Sequence, residues 1–216
     1  MAKRRTRTEQ AEVTRQSLLE AARTVFIERG FHATSLDAIA DEAGFTKGAV
    51  YSQFRSKADL FLALLEQRIV QRVAEMRRSA ETVRGPAELA TALSRQWDEK
   101  LRGDEQWSLL SIEFRLHAAR DPDLNRRYAA LHAQTRDAIA ALIEREAAET
   151  GFVLSIPAED IARGVLALGT GAVLERCAEG SSFPPRLMEM TNRAMIFGLE
   201  IPERELPARA KKRAVR

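Results

Sequence analysis

The stretch GFTKGAVYSQFRSK, residues 44–57, gathers hydrogen-bonding side chains and cations with no acid among them. Lys47, Tyr51 and Lys57 have the reach and the donors for phosphate oxygens. Ser52 and Gln53 suit base edges, and the paired donor and acceptor of Gln53 match adenine. Thr34 and Thr46 stand at helix starts, where a hydroxyl can meet the sugar-phosphate backbone. Gly48 is the odd member, because glycine in a helix costs roughly 1 kcal/mol relative to alanine. A backbone that a partner must approach closely explains it. The first amides of a helix lack intrahelical partners and favour anions, so that partner is a phosphate or a base edge. Plainer readings exist for each residue: Lys47 and Lys57 as solvated surface, Tyr51 as packing, Thr34 as a cap alone, Gln53 as polar surface.

These residues need helices to hold them. Apolar residues recur at intervals of three and four along nearly the whole chain, and alternating β-branched runs are missing, which predicts an all-α fold of about nine helices. The first runs from about Ala11 to Arg29, with Leu18, Ala22 and Phe26 on one face and Gly30 as a left-handed stop. Thr34 and Asp37 form a capping box for the second, which ends at Gly44. Thr46 caps a third that reaches Phe54, and Ser56 with Asp59 opens a long fourth helix to about Ser79. Two short helices around Gly44, with small Ala40 at their crossing and Val50 plugging their angle, match the helix-turn-helix arrangement. At 100° per residue, Val50 and Phe54 face inward while Gly48 and Ser52 face out, leaving a small, polar surface suited to a major groove.

The block from Arg29-Gly30-Phe31 through ATSLDAIADEAGFTKGAVYSQFRSKADLF resembles the DNA-binding domain of the TetR/AcrR family of bacterial transcriptional regulators. Its spacing follows T-x-x-x-I-A-x-x-A-G-x-(S/T)-x-G-x-(I/L/V)-Y-x-x-F-x-(S/N)-K-x-x-L-(F/L). The resemblance spans residues 14–62, and Gln53 departs from the histidine often found at its position, so a base preference there is not carried over. The resemblance implies a double-stranded DNA operator as partner, and a helical C-terminal domain that binds an inducer and dimerises through its last two helices.

The remainder is read as helices over about Gly85–Arg102, Gly103–Arg120, Asp121–Gly151, Ala158–Glu179 and Phe183–Glu200. The last two are rich in small and apolar residues, among them Gly164, Gly169 and Ala172 on one and Met190, Met195 and Phe197 on the other, a composition fit for a flat helix-to-helix contact between two copies. Trp97, Trp107, Phe114, His117, Tyr128 and His132 come from three adjacent helices and are the candidate ligand-binding residues, an aromatic lining for a small apolar or aromatic effector. Core packing accounts for them as simply. Glu113 and His117 lie four apart, as metal ligands do, but no second pair supports them, so no metal and no cofactor is expected.

Domains are thus expected as a basic arm over 1–10, a helix-turn-helix domain over 11–56, a ligand-binding and dimerisation domain over 57–202, and a basic tail over 203–216. The net charge is only +3, but the tail alone holds six cations against Glu203 and Glu205. No G-x-S-x-G, H-E-x-x-H or P-loop pattern is present, and Gly169-Thr170-Gly171 lies in a helical stretch with no strand before it. An enzyme is therefore not expected. The single cysteine, Cys177, is read as a buried small hydrophobe, and the cytoplasm as the compartment, with no membrane span. The expected function is a homodimeric, ligand-responsive repressor. A ligand-independent regulator or activator is the alternative, followed by an all-α enzyme or carrier whose N-terminal module binds protein.

Overall fold

A computed structural model describes residues 6–180, 183–184 and 186–197, with backbone alone for 86 and 96–103. Among the described residues there are nine helices and no strand. α1 covers Arg7–Ala33, α2 Leu36–Ala43, α3 Lys47–Gln53, α4 Lys57–Ala80 and α5 Pro86–Gly103. α6 is Glu105–Ala118, α7 Pro122–Thr150, α8 Ala158–Glu179 and α9 Leu187–Phe197. No described helix is long and apolar enough to cross a membrane.

Local chemistry sets most of these boundaries. α1 starts earlier than the apolar periodicity suggests, because Thr6 and Glu9 form a reciprocal capping box. Residues 7–10 are therefore helix, and the expected free arm shortens. α2 starts one residue later than expected: Ser35 is the cap, its Oγ accepting the Ala38 amide at 3.1 Å. Thr34 is instead turned inward, 2% exposed, donating its hydroxyl to the Gly30 carbonyl at 2.7 Å. Gly44 closes α2 in the left-handed region, with φ 69° and ψ 27°. Thr46 and Ser56 cap α3 and α4 through the amides of Ala49 and Asp59. Asp121 caps α7, where Pro122 takes a first-turn position whose missing amide proton is not needed.

Two main cores result. The first joins α1, α2, α3 and the start of α4 to one face of α6: Phe26, Phe31 and Phe61 meet Phe114, with the Phe61 and Phe114 rings stacked at 4.2 Å. Trp107 stacks on the other side of this cluster, 5.8 Å from Phe61. The second core lies among the end of α4 and α5, α7, α8 and Ile196 of α9. Gly164 lets α8 approach α9, since a β-carbon there would lie 2.5 Å from the Met195 sulfur. Cys177 departs from expectation: it is exposed, its thiol donating to a Glu105 carboxylate oxygen at 3.2 Å, because the last turns of α8 run past the core.

α1 and α6 are joined by a polar latch. At Gly30, with φ 75° and ψ 170°, the helix breaks in a conformation essentially reserved for glycine, rather than in the left-handed helical one expected. The break turns the amides of Phe31 and His32 toward α6, where Glu113 accepts both at 3.1 Å. This carboxylate is thus engaged by backbone rather than poised for a metal, and no metal-holding group of three or more side chains occurs among the described residues. A β-carbon at position 30 would lie 3.1 Å from Glu113 Oε2. Gly30→Ala should accordingly destabilise the protein by about 1–3 kcal/mol. At about 2–4 °C per kcal/mol for a chain of this size, thermal unfolding resolves that loss easily.

Candidate nucleic-acid interface and effector cavity

The reading surface is built on α3. Its one buried residue is Val50, which packs with Ala40 and Phe54 in the first core and fixes the angle between α2 and α3. With Val50 inside, the opposite face is outside: Thr46, Lys47, Gly48, Tyr51 and Ser52 are exposed, Tyr51 by 57%. Lys47 donates to Asp37 of α2, and this hydrogen bond, followed by the carboxylate's charge, raises the lysine's pKa. The pair is solvated, so phosphate can compete for the ammonium. Ser52 returns its hydroxyl to the Ala49 carbonyl at 2.7 Å, leaving its oxygen outward as an acceptor. Gln53 is half-buried at the margin of the face, beside a groove that also takes in Arg15 and Arg55. Arg15 stacks over Phe54 at 4.7 Å, a cation of this margin that helix spacing alone did not single out.

Gly48 decides how this surface is read. Its φ is not positive, and a β-carbon there would meet nothing of the chain closer than Thr46 Oγ1 at 3.9 Å. Neither backbone conformation nor internal packing requires glycine. Its smallness is available only to something outside the molecule.

Two expected phosphate contacts lie elsewhere. The Thr34 hydroxyl is buried, as described above. Lys57, at the first position of α4, points into the chain: its ammonium donates to the carbonyls of His32 and Thr34 at 3.0 and 2.7 Å and sits 4.6 Å from the Phe31 ring centre. Burial lowers its pKa, with Glu113 opposing. Helix spacing put Lys57 beside the reading face, but its ammonium is engaged by the carbonyls freed where α1 ends.

A cavity of about 150 Å³ opens among α4, α6, α7 and α8. Of the six residues expected to line it, Trp107, Tyr128 and His132 do so. Phe114 and His117 do not. Phe114 is 0% exposed inside the first core, and His117 packs against Phe31 at 4.8 Å, so both serve the joint between module and body. The side chain of Trp97 lies outside the described residues. What aromatic spacing missed is the basic wall of Arg68, Arg72 and Arg115, together with Thr170 of α8. Arg68 and Arg72 are four apart on α4, a signal easily passed over as ordinary helix surface. Tyr128 and His132 stack at 5.8 Å. Burial raises the Tyr128 pKa and lowers that of His132, and the nearby guanidiniums of Arg115, Arg136 and Arg72 push the imidazole the same way.

With the reading head and the cavity located, comparison with known proteins is informative. Residues 18–64 match the family described as bacterial regulatory proteins, tetR family, and residues 86–198 match the C-terminal part of BetI-type transcriptional repressors. The chain belongs to the tetR family. The first of these matches takes in all of α2 and α3.

Curated tetR-family relatives match over part of the chain. The transcriptional activator FasR of Mycolicibacterium smegmatis is 43% identical over 68 residues, 32% of this chain and 31% of its own. The repressor BepR of Brucella suis is 47% identical over 62 residues, 29% of each chain. The chain therefore spans less than a third of either relative. Among solved structures, the regulator FadR of Bacillus subtilis, in complex with stearoyl-CoA, superposes with a TM-score of 0.71 at 14% identity, covering 85% of this chain and 98% of that one. GusR of Salmonella enterica gives 0.70 at 23% identity, covering 86% and 96%. These likenesses establish the shared fold.

Two outcomes follow from the side-chain environments. Lys57→Ala should lower the unfolding temperature, by an amount equivalent to about 1–2 kcal/mol, because two charged hydrogen bonds to backbone are lost. Lys47→Ala, at a solvated surface pair, should leave it in place. Because His132 is held below its ordinary value of 6.5, the unfolded chain takes up a proton there before the folded one does. Its contribution is intact above that value and is lost as pH falls toward the lower folded pKa. Unfolding temperatures measured from pH 7 to pH 5 should fall less steeply in His132→Gln than in the parent.

Proposed function

We propose that this tetR-family chain is a repressor that binds a near-palindromic operator as a homodimer and releases it when a small molecule enters the cavity. The observation that carries the DNA half is Gly48, a helical glycine with no internal reason to be one, at the centre of an exposed polar face. Thr46, Lys47, Gly48, Tyr51, Ser52 and Gln53 are the proposed contacts, with Lys47 and Tyr51 on phosphate and Ser52 and Gln53 on bases. Thr34 and Lys57 act from beneath, holding the ends of α1 and α2.

Exposed apolar side chains on the last two helices, Leu174, Met190 and Phe197, support a contact between two copies there. A dimer would present two α3 helices to successive major grooves about 34 Å apart, and a change in that separation would end the match. Cavity and reading head share helices. α4 starts just past α3 and carries Arg68 and Arg72 into the cavity. α6 lines it with Ser111 and Arg115, while Glu113, between them in sequence, holds the end of α1. An effector that favours one placement of α6 thereby shifts the population of reading-head positions. The sign of regulation is the second reading, since FasR is named an activator and BepR a repressor. Reporter output after gene deletion separates the two.

Gly48→Ala is the sharpest test. It should leave thermal stability unchanged or raise it by up to about 1 kcal/mol. Operator affinity, measured by fluorescence anisotropy on a duplex recovered from a random pool, should drop about tenfold or more. An unaltered affinity would remove α3 from the groove. Parental affinity should also fall steeply with added salt, as it does when several phosphates are neutralised.

A further inference from the structure

The charges around the cavity restrict what it can hold. Among the described residues three guanidiniums, those of Arg68, Arg72 and Arg115, line it, and no carboxylate does. They are not equivalent. Arg68 is paired with Asp104, which also takes Arg23 of α1 at 3.4 Å. Arg72 is half-buried, its pKa pushed down to about 10 by burial and then by the charge of Arg68, with Glu75 opposing. Arg115 makes no ion pair with any described carboxylate. The charged groups that act on His132 at this wall are Arg115, Arg136 and Arg72, all cations, and after burial each pushes its pKa further down. Apolar side chains share the lining: Leu65 and Ile69 stand on α4 among the arginines, and Leu166 and Val173 face in from α8. A cavity near 150 Å³ accommodates a body about the size of one benzene ring.

We propose that the cavity selects a compact organic carboxylate, its head held by Arg115 and Arg72 beside Tyr128 and its apolar body against Leu166 and Val173 of α8 and Leu65 and Ile69 of α4. This deepens the effector reading above and rests on it. It narrows the small apolar or aromatic effector that the aromatic residues alone suggest to one with an acidic head. A neutral ligand would offer Arg115 no counter-charge, and a cationic one would be repelled by all three guanidiniums. The carboxylate also competes with Asp104 for Arg68, and Asp104 is the residue through which this wall touches Arg23 of the reading module.

Three matched probes test the selection on the full chain by titration calorimetry: benzoate, benzyl alcohol and benzyltrimethylammonium. Benzoate should bind at least about tenfold tighter than the alcohol, and the cation should not bind. Arg115→Gln, checked to be folded by its unfolding temperature, should weaken benzoate about tenfold and leave the alcohol unchanged, while Arg115→Lys should recover part of the loss. The inference is overturned if the alcohol or the cation binds as well as benzoate, if benzoate fails to bind at millimolar concentration, or if Arg115→Gln weakens both ligands equally. The same probes added to the operator complex separate the two claims. Tight benzoate binding with no loss of operator affinity would end the effector reading and leave the carboxylate selection standing. Operator release by benzyl alcohol or by the cation alone would do the reverse.

Discussion

The double hydrogen bond from the amides of Phe31 and His32 to Glu113 is the constraint on which the rest of the molecule turns. A short helix-turn-helix has little stability of its own: α3 is seven residues long and buries one of them. It is held by α1 and α4, and these are held by α6. The carboxylate fixes where the end of α1 sits on α6, and the break at Gly30 makes its two amides available. Lys57 completes the arrangement from the other side by taking the carbonyls of His32 and Thr34. Backbone groups freed where one helix ends are thus satisfied by side chains from two others. The reading face is in consequence positioned by the same helix that walls the cavity.

Much of this was legible in the order of residues. Ala40, Gly44 and Val50 announced the helix-turn-helix, since a small residue, a positive φ and an apolar plug at those spacings have few other uses. Helix boundaries marked by Gly85-Pro86, Asp121-Pro122 and Gly151 were legible for the same reason: each is a local event, decided by a residue and its neighbours in sequence.

Less legible was anything decided across the chain. Phe114 and His117 looked like cavity lining because aromatic spacing on one helix cannot say which neighbouring helix its face will meet. Their partner was Phe31, eighty-odd positions away, whose approach depends on the break in α1. Lys57 looked like a phosphate contact because the carbonyls it binds become free only when α1 ends as it does. The basic wall was hidden by distribution, two of its arginines lying on α4 and the third on α6, each of ordinary surface composition in its own helix. Cys177 was misplaced because small hydrophobes are usually buried, and the last turns of α8 are not.

Phe114, Trp107 and Leu110 belong to the core that supports the reading head, although they lie in the body by sequence. The border between the two parts is consequently not a cut that recombination can make at a single point. A chimera that imported the first sixty-odd residues of a relative would bring its own Phe26, Phe31 and Phe61 equivalents to an α6 surface shaped for these. Exchange of the outward side chains of α3 alone, by contrast, leaves nothing inside the molecule to be refitted.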